Sequence, residues 1–122
     1  MTSGMVALLK QVPAAAIAVV GFEQVHSMPQ EGVSSSFSFG RGVGQWEGII
    51  SALQLPIEYV TPQVWKKALG LGHDKNASIL KAQQLLPAAA PFLTLVKHDG
   101  RAEACLIAEY FRRRALALEQ VA

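Results

Sequence analysis

A run of apolar residues, 14–22, ends on a single carboxylate, and it constrains the fold of this chain more than any other feature. A continuous apolar run that Pro13 opens and a loop closes is typical of a strand buried on both faces. That strand would place Glu23 at its carboxyl end, where ligands and chemistry collect in open α/β sheets. A solvated glutamate at the end of an ordinary strand would give the same pattern, so both interpretations stay open.

Length and composition limit the class of protein. The chain has 122 residues, 51% of them hydrophobic, which predicts one domain with a small core. A net charge of +2 permits nucleic-acid binding without requiring it. The single cysteine, Cys105, excludes an internal disulfide and is expected to fill the core. Because no signal peptide and no apolar run of about 18 residues occurs, we expect a soluble cytoplasmic protein.

Helical and strand patterns alternate along the chain, which predicts an α/β fold. Thr61 and Pro62 mark the start of one helix, and Asp74 is placed to cap the next. Strand, helix and strand in succession favour a parallel pair with a right-handed crossover. We expect strands at 14–22 and 56–60, a loop at 26–38, and helices at 3–12, 39–53, 62–69, 74–86 and about 99–118.

Glycines recur in the second predicted helix, where each costs about 1 kcal/mol relative to alanine. Gly40, Gly44 and Gly48 are spaced by four residues and form one smooth stripe. A dinucleotide-binding fingerprint is a poor alternative, because a serine-rich loop rather than a strand precedes these glycines. The stripe therefore predicts close packing against a neighbouring element or a dimer interface.

Four lysines lie in the next predicted pair of helices: Lys66, Lys67, Lys75 and Lys81. Such a group is often a solvated helix face, but it is also what neutralisation of DNA phosphates requires. The neighbouring Trp65 is expected to anchor the core rather than to stack on a base.

Asp99 and Glu103 are four residues apart at the start of the last predicted helix, so they lie about 5–6 Å apart on one face. Helix capping by Asp99 and a favourable dipole interaction of Glu103 would explain them without a site. Together with Glu23, they would instead form an all-oxygen site suited to Mg²⁺ or Mn²⁺.

Four segments in this order resemble the RuvC-type crossover junction endonucleases, in the branch common in phages and prophages. The segments are EQVHSMP at 23–29, VSSSFSFGRG at 33–42, VTPQ at 60–63 followed by Trp65-Lys66, and DGRAEA at 99–104. The resemblance runs from about Ala7 to Arg113, which is nearly the whole chain.

This resemblance implies a ribonuclease H-like fold and a homodimer that binds four-way DNA. It also implies a DNA recombination and repair endonuclease that uses Mg²⁺ or Mn²⁺ held by carboxylates. Glu23 would match the second family carboxylate, Asp99 and Glu103 the last two, although many relatives space these by three residues rather than four. Lys66 and Lys75 fall near family lysines that face DNA, and Arg41 is counted with the DNA-binding group.

The resemblance departs from the family at the beginning of the chain. The first three family strands, and the first catalytic Asp that they carry, have no counterpart in residues 1–122. We therefore expect a single, shortened RuvC-like domain that binds branched DNA, in a bacterial or phage-infected cell, with impaired cleavage. The alternative is a non-catalytic DNA-binding or interaction module derived from a resolvase.

Overall fold

The computed structural model describes residues 2–13, 16–17, 19–25 and 32–121. It is a helix-rich α/β structure in which contacts divide the chain into two compact units, residues 1–59 and 60–122. The helices are α1 (Thr2–Lys10), α2 (Val33–Ala52), α3 (Pro62–Ala68), α4 (Lys75–Leu85) and α5 (Asp99–Val121), with 3₁₀ helices at Pro87–Phe92 and Val96–His98, and the strands are β1 (Val20–Glu23) and β2 (Ile57–Val60).

The two strands pair in parallel, as the sequence predicts. The Val20 amide donates a hydrogen bond of 2.8 Å to the Pro56 carbonyl. Further along both strands, the rings of Phe22 and Tyr59 meet edge to face, with their centroids 5.7 Å apart. The two strands therefore run in the same direction, and Phe22 and Tyr59 lie side by side on them.

The expected strand at 14–22 is wrong in length and in burial. Strand β1 has four residues, and none of them is fully buried. The Ala16 amide instead bonds the Pro13 carbonyl at 2.9 Å, which forms a turn rather than an extended chain. Residues 14, 15 and 18 lie outside the described part of the chain. A strand is buried on both faces only when layers cover both, and β1 has one strand partner in the described structure.

The second helix begins earlier than predicted. Residues 33–38, expected to belong to a loop, form the first turns of α2, while 26–31 lie outside the described residues. Gly32 is extended and its carbonyl accepts a 2.9 Å hydrogen bond from the Ser36 amide. Serine is well tolerated at helix starts, so a serine-rich stretch next to a helix does not indicate a loop by itself.

The second unit follows its predicted boundaries closely. Helix α3 begins at Pro62 after Thr61, and Gly70 takes the left-handed conformation that ends it, with a φ of 70°. The Asp74 carboxylate accepts a 2.9 Å hydrogen bond from the Asn76 amide and thus caps α4. Helices α3 and α4 both pack on α5, and Trp65 of α3 is fully buried. The prediction that Trp65 is a core residue is confirmed.

Candidate nucleic-acid interface and carboxylate sites

An acidic cleft of about 350 Å³ lies at the carboxyl end of β1 in the first unit. Glu23 lines it from the strand, and Glu47 lines it from α2. Tyr59 of β2 donates its hydroxyl hydrogen bond to the Glu47 carboxylate. This bond raises the pKa of Tyr59 above its usual value, and partial desolvation and the charge of Glu47 act in the same direction. Strand β1 therefore delivers Glu23 to a concave surface rather than to open solvent.

Glu47 and Tyr59 are not among the residues that the sequence singles out. Glu47 stands alone as an acid in a glycine-rich helix, and Tyr59 lies in a strand whose pairing decides which residues face Phe22. The parallel pairing of β1 and β2 is the signal in the sequence that could have pointed to Tyr59. Once β1 and β2 are aligned in parallel, Tyr59 falls beside the end of β1.

Two further carboxylates lie in the second unit, at the start of α5. Asp99 is already helical, with φ −57° and ψ −37°, and follows directly on the 3₁₀ helix Val96–His98. It is therefore not the extended N-cap that the capping alternative requires, since N-cap residues have non-helical backbone angles. Glu103 lies one turn further along the same helix and is half-buried.

A lysine lies directly against the first of these carboxylates. Lys75, the first residue of α4, has its Nζ 3.5 Å from Oδ2 of Asp99. The Asp99 side chain is 28% exposed and the Lys75 side chain 67% exposed, so the pair is open to solvent on the lysine side. The structure thus brings together one residue predicted to contact DNA and one predicted to be catalytic.

His98 precedes Asp99, and its Nδ1 accepts a hydrogen bond of 3.2 Å from the Leu95 amide. Partial desolvation lowers the pKa of His98, with smaller contributions from the positive charges of Arg101 and Lys97. His98 is therefore mainly neutral near pH 7, and Lys75 is the cation that forms an ion pair with Asp99.

The remaining predicted DNA contacts fall at separate places. Lys66 and Lys67 line a cleft of about 250 Å³ in the second unit, and the Lys66 Nζ lies 5.5 Å from the centre of the Trp65 ring. Lys81 is half-buried on α4. Arg41 is exposed on α2 in the first unit.

The predicted metal ligands are divided between the units. Glu23 belongs to the first unit, and Asp99 and Glu103 belong to the second. Within the described ranges, no group of three or more His, Cys, Asp and Glu side chains could hold a metal ion. The donor chemistry of the α5 pair suits a hard cation, because carboxylate oxygens are what Mg²⁺ and Mn²⁺ prefer. The shared three-carboxylate site stays a prediction.

The glycine stripe faces open space. A Cβ atom added at Gly40, Gly44 or Gly48 would meet no atom within 4 Å among the described residues. Packing against another element of the same chain is therefore not observed in that part of the structure. The predicted dimer interface is not tested by this finding.

No helix in the described portion of the chain is long and apolar enough to cross a membrane.

Comparison with known proteins gives one informative similarity. No family model matches the chain. Over 97 residues, which are 77% of this chain, the sequence is 30% identical to the Holliday junction resolvase MOC1, chloroplastic, of Chlamydomonas reinhardtii. The aligned part is 11% of that protein, so the chain spans about a tenth of the length of the curated relative it matches. The chain is thus similar to a Holliday junction resolvase over most of its own length.

Proposed function

We propose that this chain is a RuvC-like resolvase module that binds branched DNA, above all four-way junctions, and that its metal-dependent cleavage of a phosphodiester is impaired. The contact between Lys75 and Asp99 carries the proposal. The similarity to a Holliday junction resolvase supports the same substrate class.

The chemistry of cleavage explains why this contact matters. A phosphodiester approaching the start of α5 would meet a cation and a carboxylate 3.5 Å apart. The Lys75 ammonium can bind a phosphate oxygen as a point charge, and this would release Asp99 from its present partner. Lys66 and Lys67 line a cleft in the same unit and would neutralise further phosphates.

Asp99 and Glu103, one turn apart on α5, are the residues of the second unit that would hold Mg²⁺ or Mn²⁺ in this proposal. Such an ion supplies positive charge that stabilises the attacking and leaving oxygens of a phosphodiester. The same proposal includes the ribonuclease H-like fold that the sequence resemblance implies. The α/β class with a parallel strand pair supports this fold.

A homodimer is the assembly that fits this substrate. A four-way junction presents equivalent strands related by a two-fold axis, and a two-fold dimer presents two equivalent sites. The stripe of Gly40, Gly44 and Gly48 on α2 is the surface proposed for that contact, because a second backbone can approach it closely.

Binding of labelled DNA by the purified chain tests the proposal directly. We expect a four-way junction to bind at least tenfold more tightly than a linear duplex of the same sequence, measured by fluorescence anisotropy with Ca²⁺ in place of Mg²⁺. Lys75→Gln should weaken junction binding several-fold. Equal affinity for both substrates would refute the junction preference.

Cleavage is measured separately with Mn²⁺ or Mg²⁺ on the same junction. Nicking that Glu103→Gln abolishes would support the nuclease, with Glu119→Gln on the exposed end of α5 as the matched control. Tight junction binding without any metal-dependent nicking would favour the non-catalytic module over the nuclease.

A further inference from the structure

A buried carboxylate holds two exposed arginines in the middle of α5. Glu109 is only 6% exposed, and it accepts hydrogen bonds from Arg112 at 2.8 Å from Nε to Oε2 and 2.7 Å from Nη2 to Oε1. Arg113 donates a third bond, 3.1 Å from its Nε to Oε1. The two guanidinium groups are therefore fixed against the same carboxylate.

Burying the Glu109 carboxylate costs free energy, and this cost points to a role beyond packing. Removing a carboxylate from water carries a large desolvation penalty, and apolar residues of similar volume often replace buried ion pairs at no loss of stability. Hydrogen bonding by Arg112 lowers the pKa of Glu109 to about 2 against the effect of burial, with Arg113 acting in the same direction. Glu109 stays ionised near neutral pH, and so the arginines keep a fixed anchor.

The arginines keep hydrogen-bonding capacity on the solvent side. Their side chains are 60% exposed in Arg112 and 46% exposed in Arg113. Among the described residues, Arg113 uses only its Nε, so its two terminal amino groups have no partner. Arg112 and Arg113 carry two positive charges against the one negative charge of Glu109, so this cluster of three side chains is net positive.

The position on α5 relates this surface to the carboxylates at the start of the same helix. Ten residues separate Glu103 from Arg113, which is about 15 Å at 1.5 Å per residue. A DNA strand advances about 3.4 Å per nucleotide along its axis, so this length corresponds to about four nucleotides. At about 100° per residue, Arg113 lies about 40° around the helix axis from Asp99 and about 80° from Glu103, so a strand that passes these carboxylates can also reach Arg113. Arg112 lies on the far side of the helix from Glu103 and fixes the Glu109 carboxylate.

We infer that Glu109 positions Arg112 and Arg113 as a phosphate-binding pair, in which Arg113 is the member that holds the DNA backbone a few nucleotides from the carboxylates of α5. The inference rests on the proposed function for its ligand, a DNA phosphodiester. A planar guanidinium held in one orientation suits this ligand, because arginine binds phosphate through parallel hydrogen bonds. Exposed ion pairs without such a role contribute little and could be changed without affecting DNA binding.

The test is the salt dependence of junction binding by the full chain. Arg113→Gln keeps the two-bond pair of Arg112 with Glu109, so the variant should fold, as thermal melting can verify. We expect the slope of log affinity against log salt to fall by about 0.9, the value of one lost phosphate contact, with several-fold weaker binding. Arg113→Lys should restore the slope. Lys10→Gln removes the same charge from exposed α1 and should leave the slope unchanged.

Glu109→Gln distinguishes positioning from simple charge. This variant makes the chain more positive, so a charge effect alone would tighten DNA binding. Positioning predicts the opposite, a several-fold loss, because a neutral amide cannot hold both guanidinium groups. Tighter binding by Glu109→Gln, or an Arg113→Gln slope equal to that of the Lys10→Gln control, would overturn the inference.

The outcomes separate this inference from the proposed function. If the parent binds duplex and junction equally well but Arg113→Gln lowers the salt slope, the junction preference fails and the arginine pair stands. If the parent prefers junctions and the slope does not change, the arginine pair fails alone. A parent chain that binds no DNA refutes both.

Discussion

The two units of this chain differ sharply in how much apolar surface they bury. Among the described residues, the buried hydrophobic side chains of the first unit are Met5 and Ile50, whereas the second unit contains ten. The first unit also exposes large apolar side chains on α2, such as Phe37 at 68%. The predicted site residues are divided in the same way, with Glu23 in the sparsely buried unit and Asp99 and Glu103 in the well-packed one. The helix that carries Asp99 and Glu103 is thus anchored by a core, whereas the strand that carries Glu23 belongs to the sparsely buried unit.

The largest expected effect is the loss of the fully buried tryptophan of the second unit. Trp65→Ala should lower the free energy of unfolding by about 3–5 kcal/mol, measured by urea denaturation, because it leaves a large cavity among packed side chains. Ile50→Ala in the first unit should cost about 2 kcal/mol, since sparse surroundings relax around the gap. Phe37→Ala is the exposed control, with a change below about 0.5 kcal/mol. If Ile50→Ala costs as much as Trp65→Ala, the contrast between the units is wrong.

Lowering the pH should remove a smaller contribution to the free energy of unfolding, and this contribution comes from the second unit. The pKa of Glu109 is lowered from 4.5 to about 2 in the folded chain, so its stabilisation is complete above pH 4.5 and is lost as the pH falls from 4.5 to about 2. Solvent exposure of both arginines limits the effect to the order of 1 kcal/mol. Urea denaturation at a series of pH values should show a flatter profile for Glu109→Gln than for the parent and Glu119→Gln. Identical profiles in all three proteins would contradict the assignment.

The smallest effect concerns α2 in the first unit. Gly44→Ala should stabilise the chain by about 0.5–1 kcal/mol at concentrations at which it is monomeric, because the added methyl group meets only open space. Gly42→Ala, beside the stripe, should behave similarly.

The larger Gly44→Leu substitution tests the proposed dimer contact. Sedimentation should show weaker association for Gly44→Leu and unchanged association for Gly42→Leu. An undiminished dimer in Gly44→Leu would place the contact on another surface.

The sequence predicted best what is encoded locally. Pro62 marks a helix start through its restricted backbone, and Thr61 before it is the N-cap residue without a capping side-chain hydrogen bond. Asp74 marks the next start by accepting a hydrogen bond from the Asn76 amide. The four-residue spacing of Asp99 and Glu103 is also a local pattern, and both residues lie on α5 as it predicts.

Features that depend on distant partners were missed. The extent of β1 depends on pairing with β2 and on covering layers, which an apolar run alone does not reveal. The contact of Lys75 with Asp99 joins residues on two different helices, and the hydrogen bond from Tyr59 to Glu47 joins a strand to a helix. Glu109 lies just before the three arginines at 112–114, and only the packed structure shows that its side chain is buried.

Helix α5 runs without interruption from Asp99 to Val121. Its carboxylates and its arginines are therefore linked by a rod of fixed length rather than by a hinge. Inserting one residue between Glu103 and Glu109 would turn everything beyond it by about 100° and advance it by about 1.5 Å. The distance between the carboxylates and the arginines is therefore fixed, and it can change only if the helix itself breaks.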